Sequence, residues 1–350
     1  MTIYSLFILY ALLGLSKRDN KLSIHKQTGI SVIIPFRNEG KNVLSLGNYL
    51  KKKAQHYKIE VIWINDHSTD QNFPPDFLNS RQISLNKTYG KKNALLEGVL
   101  HAKFDKILTL DADITLPDNF FNSLMSYWKD QDLFILPVIS GGKGSLQKLV
   151  YIESISIAGL TLGLCKSGMP VLSNGAALGY NKKVWLEASK SKKFMTYASG
   201  DDMYMLQYFK SAKKSITCST HTDLIVNTLA PDKLDKLLSQ RIRWAGKFPS
   251  YTDMGTIVFG SATFFMYLLL ILSTLVILNQ SEWLIWGLLM FFKWFIDFLL
   301  LFLVKMKLKL RWSMINFVIV QFLYPFYAVL IPLISLFYLP KWKGRSKNVS

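Results

Sequence analysis

Two carboxylates one residue apart, Asp111 and Asp113, directly follow the apolar run 106–110 of this 350-residue chain. Two acidic side chains at the end of a buried strand can converge on one hard cation. Mg²⁺ and Mn²⁺ prefer oxygen ligands in proteins and typically keep phosphate and water in their coordination shells. We therefore predict a Mg²⁺ or Mn²⁺ site at Asp111 and Asp113 that holds a diphosphate.

A second acidic pair, Asp201 and Asp202, stands in the segment SGDD before an expected helix at 203–210. An aspartate at this position can simply cap the helix, because helix N-termini favour anions. Alternatively, one carboxylate of the pair is a general base that takes a proton from an acceptor hydroxyl. The metal-like pair earlier in the chain favours the catalytic interpretation.

Pro35, Arg37 and Glu39 follow the first apolar run of the chain, 30–34. In open α/β sheets, ligands bind beyond the carboxyl ends of the strands. Arg37 can therefore meet a phosphate, and Glu39 can accept a hydrogen bond from a ribose hydroxyl. The alternative is an ordinary turn in which Glu39 is favoured by the dipole of the next helix.

Asp66 and Lys91 are further candidates for nucleotide binding. Asp66 ends the run 59–65 and can accept a hydrogen bond from a base N–H, or it can belong to a turn that precedes a helix. Lys91 follows Gly90 at the start of a predicted helix, where backbone N–H groups and the lysine together favour an anion. A solvated lysine is the alternative.

The segment 234–247 is basic and aromatic and contains Gln240, Arg243 and Trp244. At helical spacing these three side chains share one face. Arginine binds diphosphate bidentately, and tryptophan stacks or closes a pocket wall. The alternative is an amphipathic helix on anionic lipid with its tryptophan at the interface. The two interpretations are compatible, because Arg241 and Lys247 are expected to be free to face the lipid headgroups.

Short apolar runs alternate with amphipathic ones between residues 30 and 250, which indicates one α/β domain with a mostly parallel sheet. The predicted strands are 30–34, 59–65, 82–85, 106–110 and 133–138. The predicted helices are 41–53, 91–103 and 117–129, and Pro117 is expected to start the last of these.

Three apolar segments, 257–278, 283–304 and 314–338, are long enough to cross a bilayer. The apolar residues 1–15 precede basic residues, which favours an uncleaved anchor over a signal peptide. The connection 305–311 is basic and is predicted to be cytosolic, whereas 279–282 carries no Lys or Arg. The basic C-terminal tail conflicts with this topology. We predict a bacterial cytoplasmic (inner) membrane protein whose domain faces the cytosol.

The formal net charge of +19 is compatible with nucleic acid, anionic lipid or anionic nucleotides as partners. The membrane segments favour lipid, so no nucleic acid partner is expected. The two cysteines, Cys165 and Cys218, form no metal-like cluster. Within the apolar C-terminal third, Lys293 and Asp297 lie four residues apart and are predicted to form a structural ion pair, with a role in acceptor binding as the alternative.

In order and spacing, the motifs resemble those of the family 2 glycosyltransferases with a GT-A fold, over residues 30 to 247. SVIIPFRNEGKNV, EVIWINDHSTD and GKKNALLEGV resemble their nucleotide-contacting segments, with His67 where glycine is common. ILTLDADITLPDNF is similar to their DXD metal motif, and SNGAALGYNKKVW to a stretch that lines the sugar. SGDD resembles the motif of the base, which makes Asp202 the base. QRIRW resembles an element of membrane cellulose, chitin and hyaluronan synthases and of ceramide glucosyltransferases.

The resemblance implies an inverting transferase with a metal-held diphosphate. A nucleotide-sugar, with a bias to UDP, is the expected donor. The short membrane part favours transfer of a single sugar to a membrane lipid, with sterol, ceramide, diacylglycerol, carotenoid and polyprenyl phosphate all open as acceptors. A processive polysaccharide synthase and a non-catalytic nucleotide-sugar-binding scaffold are the alternatives. The expected organisation is an anchor at 1–16, a GT-A domain at 28–231, an interface helix at 232–250, membrane helices at 256–340 and a basic tail at 341–350.

Overall fold

The computed structural model describes residues 1–19, 29–191, 194, 200–277 and 283–338. The predicted turn 279–282, the basic tail and Ser199 of the SGDD segment lie outside these residues. The described chain forms two compact units. Among the described residues, those within 19–138 and 173–229 form the sheet unit, and those within 1–18, 139–172, 230–277 and 283–338 form the helical unit.

A seven-stranded sheet organises the sheet unit. Its strands in chain order are β1 (Ile30–Phe36), β2 (Ile59–Asn65), β3 (Ser80–Ser84), β4 (Lys106–Leu110), β6 (Leu133–Ile135), β8 (Ala177–Asn181) and β9 (Ile216–Cys218). The spatial order is β3-β2-β1-β4-β8-β6-β9. The first four strands of this order are parallel, and β8 runs antiparallel to β4 and β6. The predicted α/β class with a mostly parallel sheet is therefore confirmed.

The remaining elements of the sheet unit are short. They comprise α2 (Lys41–Ala54), α3 (Lys91–His101), β5 (Ile114–Thr115), α4 (Phe120–Tyr127), α6 (Lys182–Ser189), α7 (Asp201–Ser211) and β10 (Val226–Leu229), which pairs with β5. Between the two units in sequence runs β7 (Val138–Gly141).

Helix α3 packs closely on the sheet, which fixes the position of its N-terminus. A Cβ atom added to Gly98 would lie 2.4 Å from Cγ2 of Ile33, so only glycine allows this approach. On the other side of β1 and β2, Val32, Ile34 and Trp63 belong to a core that the buried residues of α2 complete. The first residue of α3 is thereby carried to the carboxyl edge of the parallel strands.

The predicted strand 133–138 and the predicted helix 117–129 differ most from the structure. The predicted strand 133–138 is interrupted between β6 and β7, because Pro137 has no backbone N–H for a ladder bond. Helix α4 begins at Phe120 rather than at Pro117. The carbonyl oxygen of Pro117 instead accepts hydrogen bonds from Phe120 N at 3.1 Å and Tyr49 Oη at 2.6 Å.

Long helices make up the helical unit. They are α1 (Thr2–Ser16), α5 (Ser145–Lys166), α8 (Leu234–Ala245), α9 (Met254–Ile277), α10 (Trp283–Leu308) and α11 (Met314–Phe337). Four of them, α5, α9, α10 and α11, are long and apolar enough to cross a membrane. The last three of these helices were predicted as spans from the sequence. Helix α5, which is less apolar and more buried than the others, was not.

Helix α1 is packed into the helical unit. Gly14 and Gly163 of α5 allow close backbone contact, since a Cβ on Gly163 would lie 2.3 Å from the carbonyl oxygen of Ala11. Tyr10 Oη donates to the carbonyl oxygen of Ser167 at 2.9 Å. Tyr4 Oη donates to Asp297 Oδ1 at 2.8 Å. These contacts give α1 a structural role beside α5 and α10.

The predicted ion pair of Lys293 and Asp297 is confirmed, with Nζ 2.8 Å from Oδ2. Gln321 of α11 joins the pair, because its Oε1 accepts from Lys293 and its Nε2 donates to Asp297. The side chain of Lys293 is only 1% exposed. Charges in an apolar bundle are costly unless they are paired, so this network lets three helices, α1, α10 and α11, share one buried polar contact.

Candidate active site

The site lies in the sheet unit, at the switch point of the parallel strands. β1 pairs with β2 on one side and β4 on the other, so the connections from these strands lead in opposite directions. Such a switch leaves a crevice beyond the carboxyl ends of the strands, where ligands bind. Arg37 and Glu39 follow β1 at this edge, and Asp111 and Asp113 follow β4.

Lys91 connects the two acidic motifs. Its Nζ lies 2.7 Å from Asp111 Oδ1 and 3.6 Å from Asp201 Oδ2. Nζ also donates to the carbonyl oxygen of Gly175 at 2.9 Å. The sequence predicted an anion site at Lys91, and the structure shows this lysine at the centre of the carboxylates.

The charges of this crevice perturb one another. Burial alone would lower the pKa of Lys91, but the carboxylates of Asp111, Asp201 and Asp202 raise it above its usual value. Lys91 is therefore a permanent cation. The pKa of Asp113 is raised to about 6, chiefly by partial removal from solvent and then by the negative charges of Asp111 and Glu39. The side chain nevertheless remains exposed. The end of β4 carries an excess of negative charge that a cation would neutralise.

The residues at the end of β4 fit a hard divalent cation. Asp111 and Asp113 supply oxygen donors, and the charge of Glu39 is felt by both. Within the described ranges, no group of three His, Cys, Asp or Glu side chains could hold a metal ion. A Mg²⁺ or Mn²⁺ ion here would complete its shell with phosphate oxygens and water, as these ions commonly do.

The two aspartates at the start of α7 have different contacts. Gly200 precedes them with a φ of 90°, and the helix then begins at Asp201. Asp201 faces Lys91. Asp202 accepts from Gly175 N at 3.1 Å through Oδ2 and from Met203 N at 2.8 Å through Oδ1. Asp201 therefore contacts the Lys91 ammonium, and Asp202 contacts the backbone of Gly175 before β8.

Sequence analysis did not single out Gly175, which contacts both Lys91 and Asp202. A Cβ on this residue would lie 3.4 Å from both Asp201 Oδ2 and Asp202 Cβ, which is already van der Waals contact. The dipeptide Asn174-Gly175 ahead of β8 is a recognisable turn signal and could have indicated the residue. Gly175 brings the backbone before β8 against α7.

Asp66 stands at the end of β2 and is 2% exposed. Its Oδ1 accepts from Gly90 N at 3.1 Å, so it holds the start of α3 beside β2. The next residue, His67, takes a φ of 56°, the left-handed conformation that glycine adopts without strain. The imidazole lies 4.3 Å from the ring of Tyr89 in a stacked arrangement, and Nε2 lies 3.1 Å from the carbonyl oxygen of Thr88.

The loop after β1 is fastened to the loop after β2. Asn38, with a φ of 52°, accepts from Thr69 N at 2.7 Å through its Oδ1. Gly40 N donates to Asp70 Oδ2 at 2.9 Å. These bonds hold Arg37 and Glu39 at the crevice, while Pro35 lies inside β1 in register with Ile64.

Gln240, Arg243 and Trp244 lie on α8 in the helical unit. The expectation that Arg241 and Lys247 face lipid headgroups is wrong, because these residues are only 6% and 8% exposed. Arg241 is buried because it pairs with Glu153 of α5, with Nη2 2.7 Å from Oε2. The amphipathic pattern of one helix could not reveal a partner on another.

Comparison with known proteins shows the family of one segment and the fold. Residues 31–183 match the family described as Glycosyl transferase family 2. This segment belongs to that family. It contains the ends of β1, β2 and β4 and the start of α3, and therefore Asp66, Lys91, Asp111 and Asp113. Residues 201–202 and α8 lie beyond the matched segment.

Similar proteins include CsbB of Bacillus subtilis (strain 168), named as a glycosyltransferase, which is 35% identical over 100 residues. The 4,4'-diaponeurosporenoate glycosyltransferase of Staphylococcus aureus (strain USA300) is 33% identical over 92 residues. These matches cover 26% and 25% of this chain and span 30% and 24% of the respective relatives, less than a third of either.

Among solved structures, a mannosyltransferase from Pyrobaculum calidifontis in complex with GDP-Man and Mn²⁺ matches with a TM-score of 0.54. The match covers 88% of this chain and 94% of that one at 14% identity. At this identity the likeness concerns the fold, which is the GT-A fold.

Proposed function

We propose that this protein is an inverting glycosyltransferase that moves one sugar from a nucleotide-sugar, with UDP as the expected nucleotide, to a membrane lipid. The observation that carries the proposal is the Lys91 ammonium 2.7 Å from Asp111 in a family 2 domain, on a chain whose described part has four helices able to cross a membrane. Lys91 and the carboxylates around it suit the binding of a diphosphate, and the four helices suit an acceptor dissolved in lipid.

Donor binding follows from the carboxyl ends of the strands. Asp66 and Glu39, which follow β2 and β1, are proposed to contact the nucleoside, together with Pro35 near the end of β1. Lys91 and Arg37 offer positive charge to the diphosphate. Because Lys91 stays protonated between its carboxylates, it can stabilise the negative charge that develops on the leaving group.

Asp111 and Asp113 would hold the Mg²⁺ or Mn²⁺ ion. When bound, the ion supplies charge neutralisation for the diphosphate. The two carboxylates bind the ion as anions. Because its pKa is raised to about 6, Asp113 carries a proton at acidic pH and must lose it before it can bind the ion. The negative charge of Glu39 opposes the deprotonation of Asp113, but it also attracts a cation to the site.

Asp202 is the proposed base. Its carboxylate accepts two backbone N–H bonds, from Gly175 and Met203, which fix its orientation. Each oxygen keeps a further lone pair for an acceptor hydroxyl. In the proposed displacement the acceptor oxygen bonds to the anomeric carbon as its proton passes to Asp202. The bond from that carbon to the diphosphate breaks, which inverts the anomeric configuration.

Gln240, Arg243 and Trp244 are proposed to bind the acceptor and the diphosphate, by their resemblance to the QXXRW element. Trp244 is 38% exposed and so offers an aromatic surface to a ligand. The proposed location is a bacterial cytoplasmic membrane, with the sheet unit in the cytosol where nucleotide-sugars are made. The basic residues Lys305 and Lys307 in the last turn of α10 favour the same side.

The two alternative functions predict different outcomes of an activity assay. A processive synthase would release a long water-soluble polymer. A non-catalytic scaffold would bind the donor without consuming it. Purified protein is therefore incubated with labelled UDP-sugars, Mn²⁺ and a membrane lipid extract, and the organic phase is analysed by mass spectrometry. We expect a lipid that is heavier by one sugar, and its absence from the Asp202→Asn reaction. Polymer without glycolipid, or intact donor, would reject the proposal.

A further inference from the structure

In the helical unit, the buried Arg241 contacts the first and the last residue of QRIRW, Gln240 and Trp244. The Arg241 Nη1 group donates to Gln240 Oε1 at 3.0 Å, and the guanidinium carbon lies 4.2 Å from the ring centroid of Trp244. We propose that Arg241, held by Glu153, is a positioning residue that fixes Gln240 and Trp244 for the acceptor. The role in acceptor binding rests on the function proposed above.

Arg241 is anchored from two other helices. Its Nη2 group donates to Glu153 Oε2 of α5 at 2.7 Å, and both side chains are at most 10% exposed. Glu153 Oε1 in turn accepts from Tyr327 Oη of α11 at 3.4 Å. The guanidinium is thereby held in one orientation by parts of the chain that are distant in sequence.

The exposed fractions of Arg241 and Trp244 show which of the two side chains is open to a ligand. Arg241 is 6% exposed, whereas Trp244 is 38% exposed. The guanidinium therefore covers part of the indole from the protein side and leaves the rest open to a ligand. Because Gln240 Oε1 accepts from Arg241, its Nε2 amide is the group left to donate to an acceptor hydroxyl or phosphate.

Stability alone does not account for the pair. Replacing a buried ion pair with well-packed apolar residues is often neutral or even stabilising, because the desolvation of both charges is avoided. What apolar residues cannot supply is the planar, charged surface that stacks on an indole and the N–H donors that hold an amide. Those are the contacts that Arg241 makes with Gln240 and Trp244.

The test separates positioning from folding. In the variant Glu153→Leu/Arg241→Met the buried charges are removed together, and Arg241→Lys keeps the charge without the planar group. Lys293→Met/Asp297→Asn is the matched control, since it alters another buried pair of the same unit. For each variant we measure the melting temperature, kcat, and the KM values for donor and lipid acceptor.

We expect Glu153→Leu/Arg241→Met to melt close to the wild type and to keep its donor KM. Its acceptor KM should rise about tenfold, the size of a stacking contact of this kind. Arg241→Lys should give a smaller rise, and the control none. A stable double variant with the acceptor KM and kcat of the wild type would overturn the proposal.

A spectroscopic measurement tests the positioning role of Arg241 without an activity assay. The protein is labelled with 5-fluorotryptophan, and the ¹⁹F signal of Trp244 is assigned with Trp244→Phe. We expect this signal to shift and to broaden in Glu153→Leu/Arg241→Met, but to remain in place in Lys293→Met/Asp297→Asn. An unchanged signal would refute the positioning role. If the wild type transfers no sugar, the proposed function fails, and the ¹⁹F spectrum still tests the role of Arg241.

Discussion

Lys91 Nζ lies 2.7 Å from Asp111 Oδ1, so the first residue of α3 forms an ion pair with the residue that ends β4. The lysine also lies 3.6 Å from Asp201 Oδ2 at the start of α7. One cation thus connects the proposed metal site with the helix that carries the proposed base. A donor diphosphate would bring negative charge to the same place.

Removal of the Lys91 ammonium should lower kcat/KM for the donor. In Lys91→Met the length of the side chain is kept, but the charge that stabilises the leaving diphosphate is lost. We expect kcat/KM for the donor to fall roughly 100-fold, as for the loss of one such electrostatic donor. Lys183→Met, at an exposed lysine of α6, is the control and should behave as the wild type. Equal kinetics for the two variants would exclude Lys91 from donor binding.

Metal affinity should depend on pH through Asp113. Its pKa is raised to about 6, and only the deprotonated carboxylate binds a cation. Mn²⁺ affinity, measured by calorimetry, should therefore be constant well above pH 6 and should fall as the pH drops through that value. In Asp113→Asn this step should vanish together with most of the affinity. A step near the usual aspartate pKa of about 3.9 would contradict the assignment.

The two aspartates of α7 should have separable effects. Asp202→Asn keeps an oxygen for the backbone N–H of Gly175 but cannot take a proton, so kcat should fall by about 10²–10⁴ with little change in donor KM. Asp201→Asn weakens the contact with Lys91 and should chiefly change the donor KM. Steady-state kinetics distinguish the two patterns. A kcat near that of the wild type in Asp202→Asn would remove this residue from the mechanism.

The polar network of the helical unit should control stability. Lys293→Met leaves the Asp297 carboxylate without its ammonium partner, which typically costs about 3–5 kcal/mol for a buried pair. Lys293→Met/Asp297→Asn should recover much of this loss, because a neutral amide needs no counter-charge and still accepts from Tyr4. Unfolding in detergent measures both. Equal stability of Lys293→Met and the wild type would show that the pair contributes nothing.

Local patterns in the sequence predicted the sheet and the acidic edge well. β2 and β4 have the predicted bounds, because continuous apolar runs end abruptly at Asp66 and Asp111. The pairing of Lys91 with Asp111 and Asp201 was not predicted, since it depends on how distant segments meet. The burial of Arg241 was missed for the same reason, because its partner Glu153 lies 88 residues earlier in the chain. Contacts of this kind follow from the tertiary packing and not from any local spacing.

The most direct test of the account is the binding of Mn²⁺ with and without UDP, measured by electron paramagnetic resonance on the purified full chain. The wild type should bind Mn²⁺ much more tightly when UDP is present, because two carboxylates and the diphosphate complete the coordination shell together. Asp111→Asn and Asp113→Asn should lose this dependence on UDP. Mn²⁺ binding that is indifferent to UDP, or that survives in both variants, would contradict a metal–diphosphate site at the end of β4.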